Sequence, residues 1–191
     1  MKTILICNQK GGVGKTLIAE ELAFMFEADG VKISIYDLDQ QGGLIHETKE
    51  DPDAAVAIVD TPGALQGEMR KWIEDADLVI IPTLMSNRDA APLERMIQIV
   101  KAAQKDASKV LFVFNKWNNN FTIAKDFSKW FSIRYPEFQT AVLCESTAFN
   151  MASACGESIQ TYNSRCKGAS QMRELYGFIK TNLGIKEGWR E

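Results

Sequence analysis

Cysteine is sparse and scattered in this chain: Cys7, Cys144, Cys155 and Cys166 are the only four, and no two of them form a C-x-x-C pair. That argues against a zinc site or a cysteine-ligated cluster and fits a reduced, cytoplasmic protein better than a disulfide framework. Histidine is scarcer still. His46 stands alone, with no second ligand at metal-binding spacing, so it reads as a loop residue and is assigned no role. An excess of positive charge is also missing. With 22 Lys and Arg against 25 Asp and Glu the net charge is −3, so the molecule as a whole has no basic field for nucleic acid and any DNA contact must be a local patch. No apolar run approaches the roughly 20 residues that span a bilayer. The N-terminus enters Ile4-Leu5-Ile6 directly, leaving no room for a cleavable signal before a glycine-rich stretch, so a cytoplasmic location without membrane attachment is expected. The 13 glycines and 5 prolines are too few for a fibrous or disordered chain.

What is present is an alternation of β-rich runs with segments of helical period. Thr3–Cys7, Lys32–Tyr36, Val56–Val59, Leu78–Ile81, Val110–Phe114 and Thr140–Leu143 read as strands, most of them apolar throughout. Lys15–Asp29, Gln66–Glu74, Pro92–Gln104, Thr122–Tyr135 and Ala169–Asn182 carry helical spacing, with Gly30 and Gly184 placed to stop two of them. Continuously apolar strands require cover on both faces. The pattern therefore predicts one domain, 1–191, of α/β class: a doubly wound, mainly parallel sheet with helices on both faces. Ligands of such sheets bind beyond the carboxyl ends of the strands, where Cys7, Asp37, Asp60, Thr83 and Asn115 are expected.

Lys10-Gly11-Gly12-Val13-Gly14-Lys15-Thr16 lies between the first strand and the first helix. Glycines there let backbone N–H groups of Gly11, Gly12, Val13 and Gly14 turn towards an anion, with the helix N-terminus adding its dipole. Phosphate is the expected guest, as in P-loop NTPases. Lys15 then pairs with β- and γ-phosphate oxygens and the Thr16 hydroxyl ligates Mg²⁺. Val56-Ala57-Ile58-Val59-Asp60-Thr61-Pro62-Gly63 has the form of a Walker B strand. Asp60 is the magnesium candidate, and Gly63 is placed to offer a backbone N–H to the γ-phosphate.

The run Asn8-Gln9-Lys10-Gly11-Gly12-Val13-Gly14-Lys15-Thr16 resembles the deviant Walker A motif of ParA/MinD-type ATPases, with Lys10 the discriminating residue. The resemblance implies ATP and Mg²⁺ as cofactors and a homodimer formed around ATP, in which Lys10 reaches the partner's phosphates and stabilises charge during hydrolysis. A solvated loop lysine is the plainer alternative. Ile35-Tyr36-Asp37-Leu38-Asp39-Gln40-Gln41-Gly42 resembles the family's D-x-D-P-Q-G segment. By that resemblance Asp39 positions or activates the attacking water and Asp37 assists the magnesium site, although strand-end carboxylates also serve as caps and turn formers. Gln40 replaces the family's proline. Leu78–Pro82 with Ser86–Asp89 resembles the second switch region, Asn115 falls where a base-contacting asparagine is expected, and Ala148–Ser158 resembles the segment after the last strands. The short stretch 40–59 between Asp39 and Asp60 implies a minimal ParA without the DNA-binding domain of longer members.

The same resemblance implies plasmid or chromosome partition, a ParB-like centromere-binding partner and nonspecific DNA on the nucleoid as track. Arg165, Lys167, Arg173 and Lys180, with Lys125, Lys129 and Arg134 as a second group, are candidate DNA contacts, and a solvated helix face explains each equally well. Met172, Leu175, Tyr176, Ile179 and Leu183 form an apolar stripe expected to pack in the core, and Trp117 and Trp130 read as core or partner-facing aromatics. Two rivals stand beside this reading. Asp60-Thr61-Pro62-Gly63 with Asn115-Lys116-Trp117-Asn118 imitates a GTPase, but Asn118 has one carbonyl where guanine needs a carboxylate's two acceptors. The other is a nucleotide-binding adaptor of low turnover.

Overall fold

The computed structural model describes residues 1–38, 44–63 and 68–185. All six expected strands form: β1 (Lys2–Ile6), β2 (Ile33–Asp37), β3 (Val56–Asp60), β4 (Leu78–Thr83), β5 (Val110–Trp117) and β6 (Gln139–Cys144). They lie in the order β2-β3-β1-β4-β5-β6, and every neighbouring pair is parallel. The chain leaves β1 towards β2 and leaves β4 towards β5, so connections diverge above the carboxyl ends of β1 and β4. That is where a doubly wound sheet opens a crevice.

Alternate residues of each strand feed two cores. Ile4 and Ile6 of β1, Ile58 of β3 and Leu111 and Val113 of β5 face one side, where they meet α1 (Lys15–Ala28), Phe149 of α5 (Thr147–Ala154), Ile159 of α6 (Ile159–Asn163) and α7 (Lys167–Leu183). Leu5 and Cys7, with Phe112 and Phe114 of β5, face the other, beneath α2 (Met69–Asp75), α3 (Asn87–Ala102) and α4 (Thr122–Arg134). This two-sided cover is why the strands lack polar alternation. Met172, Leu175, Tyr176, Ile179 and Leu183 are all buried, as the stripe on α7 predicts, and Trp117 and Trp130 pack partly buried on the second core.

Helix boundaries differ from expectation where local chemistry outweighs periodicity. α3 begins at Asn87 rather than at Pro92, because Ser86 and Asp89 form a capping box in which the Ser86 N–H donates to Asp89 Oδ2 at 3.0 Å. Pro92 sits inside the helix. The expected helix over Gln66–Glu74 is realised from Met69, and Gln66 lies outside the described residues. α5 and α6 were not anticipated as helices, being too short for a periodic signal. Caps define them: Ser146 accepts from the Ala148 N–H at 3.2 Å and Ser158 from the Thr161 N–H at 3.1 Å. The buried Glu21 carboxylate of α1 also accepts the Ile159 N–H, at 2.9 and 3.1 Å. Burial pushes the Glu21 carboxyl up to about 7, opposed by that hydrogen bond.

On the outer edge of β2, Ile35 and Lys49 exchange backbone hydrogen bonds of 2.9 and 3.0 Å as an antiparallel bridge. Ser34 and Asp51 are tied as well, the Asp51 N–H donating to Ser34 Oγ at 3.0 Å. The connection after β2 therefore covers what would be an open sheet edge.

A tight packing test among the helices lies at Gly168, where α7 meets α5 and α6. A Cβ there would meet Ile159 Cδ1 and Phe149 Cε2, each at 2.9 Å. Gly168→Val is expected to lower folding stability by ~1–3 kcal/mol through overpacking. A urea midpoint equal to that of the wild type would show that these helices do not close on one another as described.

Candidate functional site

The loop after β1 is shaped by what its neighbours do with its carbonyls. Gly12 and Gly14 take φ of 71° and 99°. A Cβ on Gly11 or Gly12 would meet nothing within 4 Å, so backbone there borders open space. Gly14 differs: its Cβ would fall 2.1 Å from Asn115 Nδ2. Asn115, 3% exposed, donates from Nδ2 to the Val13 carbonyl at 2.8 Å and accepts the Lys116 N–H on Oδ1, also at 2.8 Å.

A local irregularity in β5 makes this possible. The register with β6 shifts between Phe114 and Trp117, and Lys116 takes a φ of 55°, unusual for a residue with a Cβ. The kink turns Asn115 towards the glycine loop. At the other end of the loop, buried Asn8 donates to the Pro82 carbonyl at 2.7 Å and accepts the Lys10 N–H at 2.9 Å. Thr61 Oγ1 donates to the Ile6 carbonyl at 3.0 Å. Held from β3, β4 and β5, the loop leads into α1, whose N-terminal dipole favours an anion.

The expected partners of that anion converge. Thr16 Oγ1 donates to Asp60 Oδ2 at 2.7 Å, joining the hydroxyl at the start of α1 to the carboxylate at the end of β3. Asp37 is the register neighbour of Asp60 on the adjacent strand, so the two carboxylate-bearing residues stand side by side at the sheet edge. Gly63 comes close to the loop, its Cβ position 3.2 Å from the Gln9 carbonyl and 3.5 Å from the Gly11 nitrogen. A cleft of about 540 Å³ runs from Gly11, Gly12, Gly14, Lys15 and Thr16 past Gly63 and Asn115 to Glu145 and Ser146. Glycine backbone, a buried lysine, a hydroxyl and two carboxylates suit the phosphates and Mg²⁺ of a nucleotide. The donor set is hard oxygen, as that ion requires.

Lys10 is not turned into its own loop. Its ammonium pairs with Asp89, a carboxylate 2% exposed at the start of α3, which also accepts from the Ser86 N–H and hydroxyl. Asn8 and Asp89 were not singled out as loop supports in the sequence, since nothing in spacing tells a buried amide or carboxylate from an exposed one. Asn115, expected at the base, lines the cleft while its amide is committed to Val13 and Lys116. Asp39 lies outside the described residues. Behind the loop, burial pushes the Cys7 thiol up to about 12 despite nearby Lys15, which favours the neutral thiol.

The basic residues do not gather equally. Lys180 is tied to Asp29 at 2.7 Å, Arg173 donates to Gln160 at 2.6 Å, and Arg134 sits 3.3 Å from Glu94. Arg165 and Lys167 are exposed around the start of α7, and Lys125 and Lys129 on α4. No helix among the described residues is long and apolar enough to cross a membrane.

Comparison with known proteins agrees with this geometry. Residues 4–159 match the model of the CobQ/CobB/MinD/ParA nucleotide binding domain. The chain belongs to that family. Protein IncC of Escherichia coli is 46% identical over 50 residues, a match spanning 26% of this chain and 14% of IncC. The ATP complex of Cyanothece McdA superposes with a TM-score of 0.77 at 17% identity, covering 97% of each chain. A protein described as a plasmid partition protein of Borrelia burgdorferi B31, bound to AMPPNP, gives 0.64 at 14% identity, covering 95% of this chain and 97% of that one. At these identities the two structures share the fold.

The loop makes a sharp mutational forecast. Gly14→Ala is expected to abolish nucleotide binding, since the left-handed backbone costs a non-glycine residue roughly 1–2 kcal/mol and the new methyl displaces Asn115. Asn115→Ala, which leaves the Val13 carbonyl without its donor, is expected to cost about 1–3 kcal/mol of stability and to weaken nucleotide binding. Calorimetric titration and urea unfolding of both variants check this; wild-type behaviour in either would show that the Asn115 brace does not set the loop.

Proposed function

We propose that this member of the CobQ/CobB/MinD/ParA family is an ATP-dependent dimerising switch that hydrolyses ATP, slowly and under partner stimulation, in plasmid or chromosome partition. The observation that carries the reading is the second lysine. Lys15 belongs to the cradle of its own chain, whereas Lys10, 32% exposed and outside that cradle, is held at the loop's mouth by Asp89. A cation so placed can exchange Asp89 for phosphate oxygens brought up by a second copy, which would make dimerisation depend on ATP.

Each residue then has a task of its own. Gly11, Gly12, Val13 and Gly14 offer N–H groups to phosphate, and Lys15 neutralises its β and γ oxygens. Thr16, Asp60 and Asp37 would hold Mg²⁺, which when bound shields the phosphate charge. Gly63 would offer its N–H to the γ-phosphate and so sense its presence, and Asp39 is assigned to the attacking water by resemblance alone. Lys10 would stabilise the charge that grows as the terminal phosphate departs. Asn115 serves first as the brace of the loop and only through it as part of the base pocket.

Partition is supported by the deviant glycine motif and by the kinship in fold with a plasmid partition protein. A ParB-like centromere-binding protein is the proposed stimulating partner and nonspecific DNA the proposed track, in the cytoplasm on the nucleoid. Exposed Arg165, Lys167, Lys125 and Lys129 are the best-placed DNA contacts. Lys180, tied to Asp29 and 14% exposed, leaves that group.

Light scattering after size exclusion tests the switch. Asp39→Ala with ATP and Mg²⁺ is expected to run as a dimer, with ADP as a monomer, and Lys10→Ala as a monomer throughout. Excess ATP, but not excess GTP, should displace labelled ATP. Dimers that persist without ATP or in Lys10→Ala, or displacement by GTP alone, would contradict the reading.

A further inference from the structure

The cleft at the glycine loop makes no use of the chain's one histidine, yet His46 has several partners. Its Nδ1 meets Glu20 Oε1, and its Nε2 lies 3.2 Å from Glu27 Oε2. Both acids belong to α1, and the ring packs edge-on against Phe24 of the same helix, centroids 4.4 Å apart. The Glu20 carboxylate, itself buried, also accepts the Ile45 N–H at 2.8 Å and the His46 N–H at 3.1 Å. One carboxylate thus takes two backbone donors and a ring donor from two successive residues.

Two features give the cluster meaning. A neutral imidazole has one N–H, and only the imidazolium has two. With a carboxylate oxygen at each nitrogen, deprotonation leaves one lone pair facing an acceptor. The acids around it are Glu20 and Glu27 on α1, Glu47 next in the loop, and Glu21 and Glu157 lining the small cleft that Ile45 and Glu20 share with Thr16, while the cations Arg173 and Lys180 of α7 line the cleft beside Phe24 and Glu27, where they are tied to Gln160 and Asp29.

The second feature is where the clasp leads. Glu20 stands one helical turn beyond Thr16 on α1. From His46 the chain runs to Thr48, whose Oγ1 accepts the Asp37 N–H at 3.4 Å, then to Lys49 and Asp51, which pair with Ile35 and Ser34 along β2. The segment 45–51 therefore links α1, at Glu20 in its second turn and at Glu27 in its last, to the strand that ends in Asp37, beside Asp60.

We propose that His46, as an imidazolium clasped by Glu20 and Glu27, is a positioning residue that fixes the end of β2 relative to the start of α1, and that it makes nucleotide turnover pH-dependent. The inference rests on the functional reading above for its readout, though not for the clasp itself. The hydrogen bond to Glu20 raises the His46 pKa above its ordinary value, burial works against this, and Glu27 reinforces the rise. A pKa raised by folding means that the clasp is fully formed below about pH 6.5 and is lost as pH climbs through the higher folded value.

Because this is the chain's one histidine, proton NMR follows it without assignment. In the wild type its imidazole signal is expected to titrate above pH 6.5, with Glu20→Gln moving the midpoint down and Glu27→Gln moving it down less. A midpoint at or below 6.5 that Glu20→Gln leaves in place overturns the clasp. ATP turnover followed from pH 6 to 9 is expected to fall through that same midpoint in kcat, with KM within twofold. His46→Gln, which is neutral at all pH, should be flat in this step and lower than wild type at pH 6 by about fivefold to tenfold, the scale of one lost charge-assisted hydrogen bond. Glu21, with its carboxyl near 7, titrates in an adjoining range, and its contribution survives in His46→Gln and is subtracted by it. A His46→Gln profile that tracks the wild type overturns the positioning role, and Glu27→Gln, a milder change at a partly exposed site, guards against misfolding as the cause. Failure of the wild type to bind ATP would strike the functional reading instead, and is recognised by calorimetry before any variant is made.

Discussion

The structure turns on a single hydrogen bond between side chain and backbone, from the Asn115 amide to the Val13 carbonyl. A loop that gathers N–H groups around an anion must send its carbonyls elsewhere, and a buried carbonyl without a donor is costly. Asn115 takes that carbonyl, and the kink at Lys116 is what lets it do so. Gly14 is required for the same reason, since the amide occupies the space where a Cβ would stand. Asn8 and Thr61 hold the loop's approach to the sheet. Strand order, helix cover and the bulge in β5 serve to bring three strands' ends to one loop.

Seen this way, the site is an edge of the sheet rather than a pocket dug into the protein. Thr16 meets Asp60 because the first turn of α1 overhangs the end of β3, and Asp37 joins them because β2 is in register with β3. Lys10 and Asp89 join the loop's mouth to α3, and His46 and Glu20 join α1 to the return along β2. Two side-chain contacts, the second an ion pair when His46 is protonated, thus tie flanking segments to the scaffold. Each involves a buried carboxylate, where the loss of one partner is felt most.

Much of the fold was legible because its signals are strong and repeated. Six apolar runs and long helical periods marked α1, α4, α7 and every strand but β5 within a residue or two, β5 running three residues past Phe114 to Trp117 through its irregularity, and two-sided burial followed from the lack of polar alternation. α5 and α6 escaped because serine caps and the Glu21 carboxylate, not periodicity, define them. The start of α3 escaped because Pro92 drew the boundary towards itself, while the capping box of Ser86 and Asp89 set it earlier. At the candidate site, residues with fixed spacing (Gly11 to Thr16, Asp60, Gly63) could be named from the sequence, and the structure brings them together. Asn8, Asp89, Glu20 and the partners of His46 could not, because their roles depend on contacts between residues far apart in sequence. Asn115 was found for its position at a strand end, but its contact with Val13 emerged only in three dimensions.

Calorimetric titration of the wild-type chain with ATP, with Mg²⁺ and then with EDTA in its place, bears most directly on the phosphate cradle. Saturable one-to-one binding that weakens at least tenfold without Mg²⁺ is the predicted result, since Thr16 and Asp60 would lose the ion they share with the phosphates. A folded protein that takes up no ATP at millimolar concentration, with or without Mg²⁺, would contradict the account.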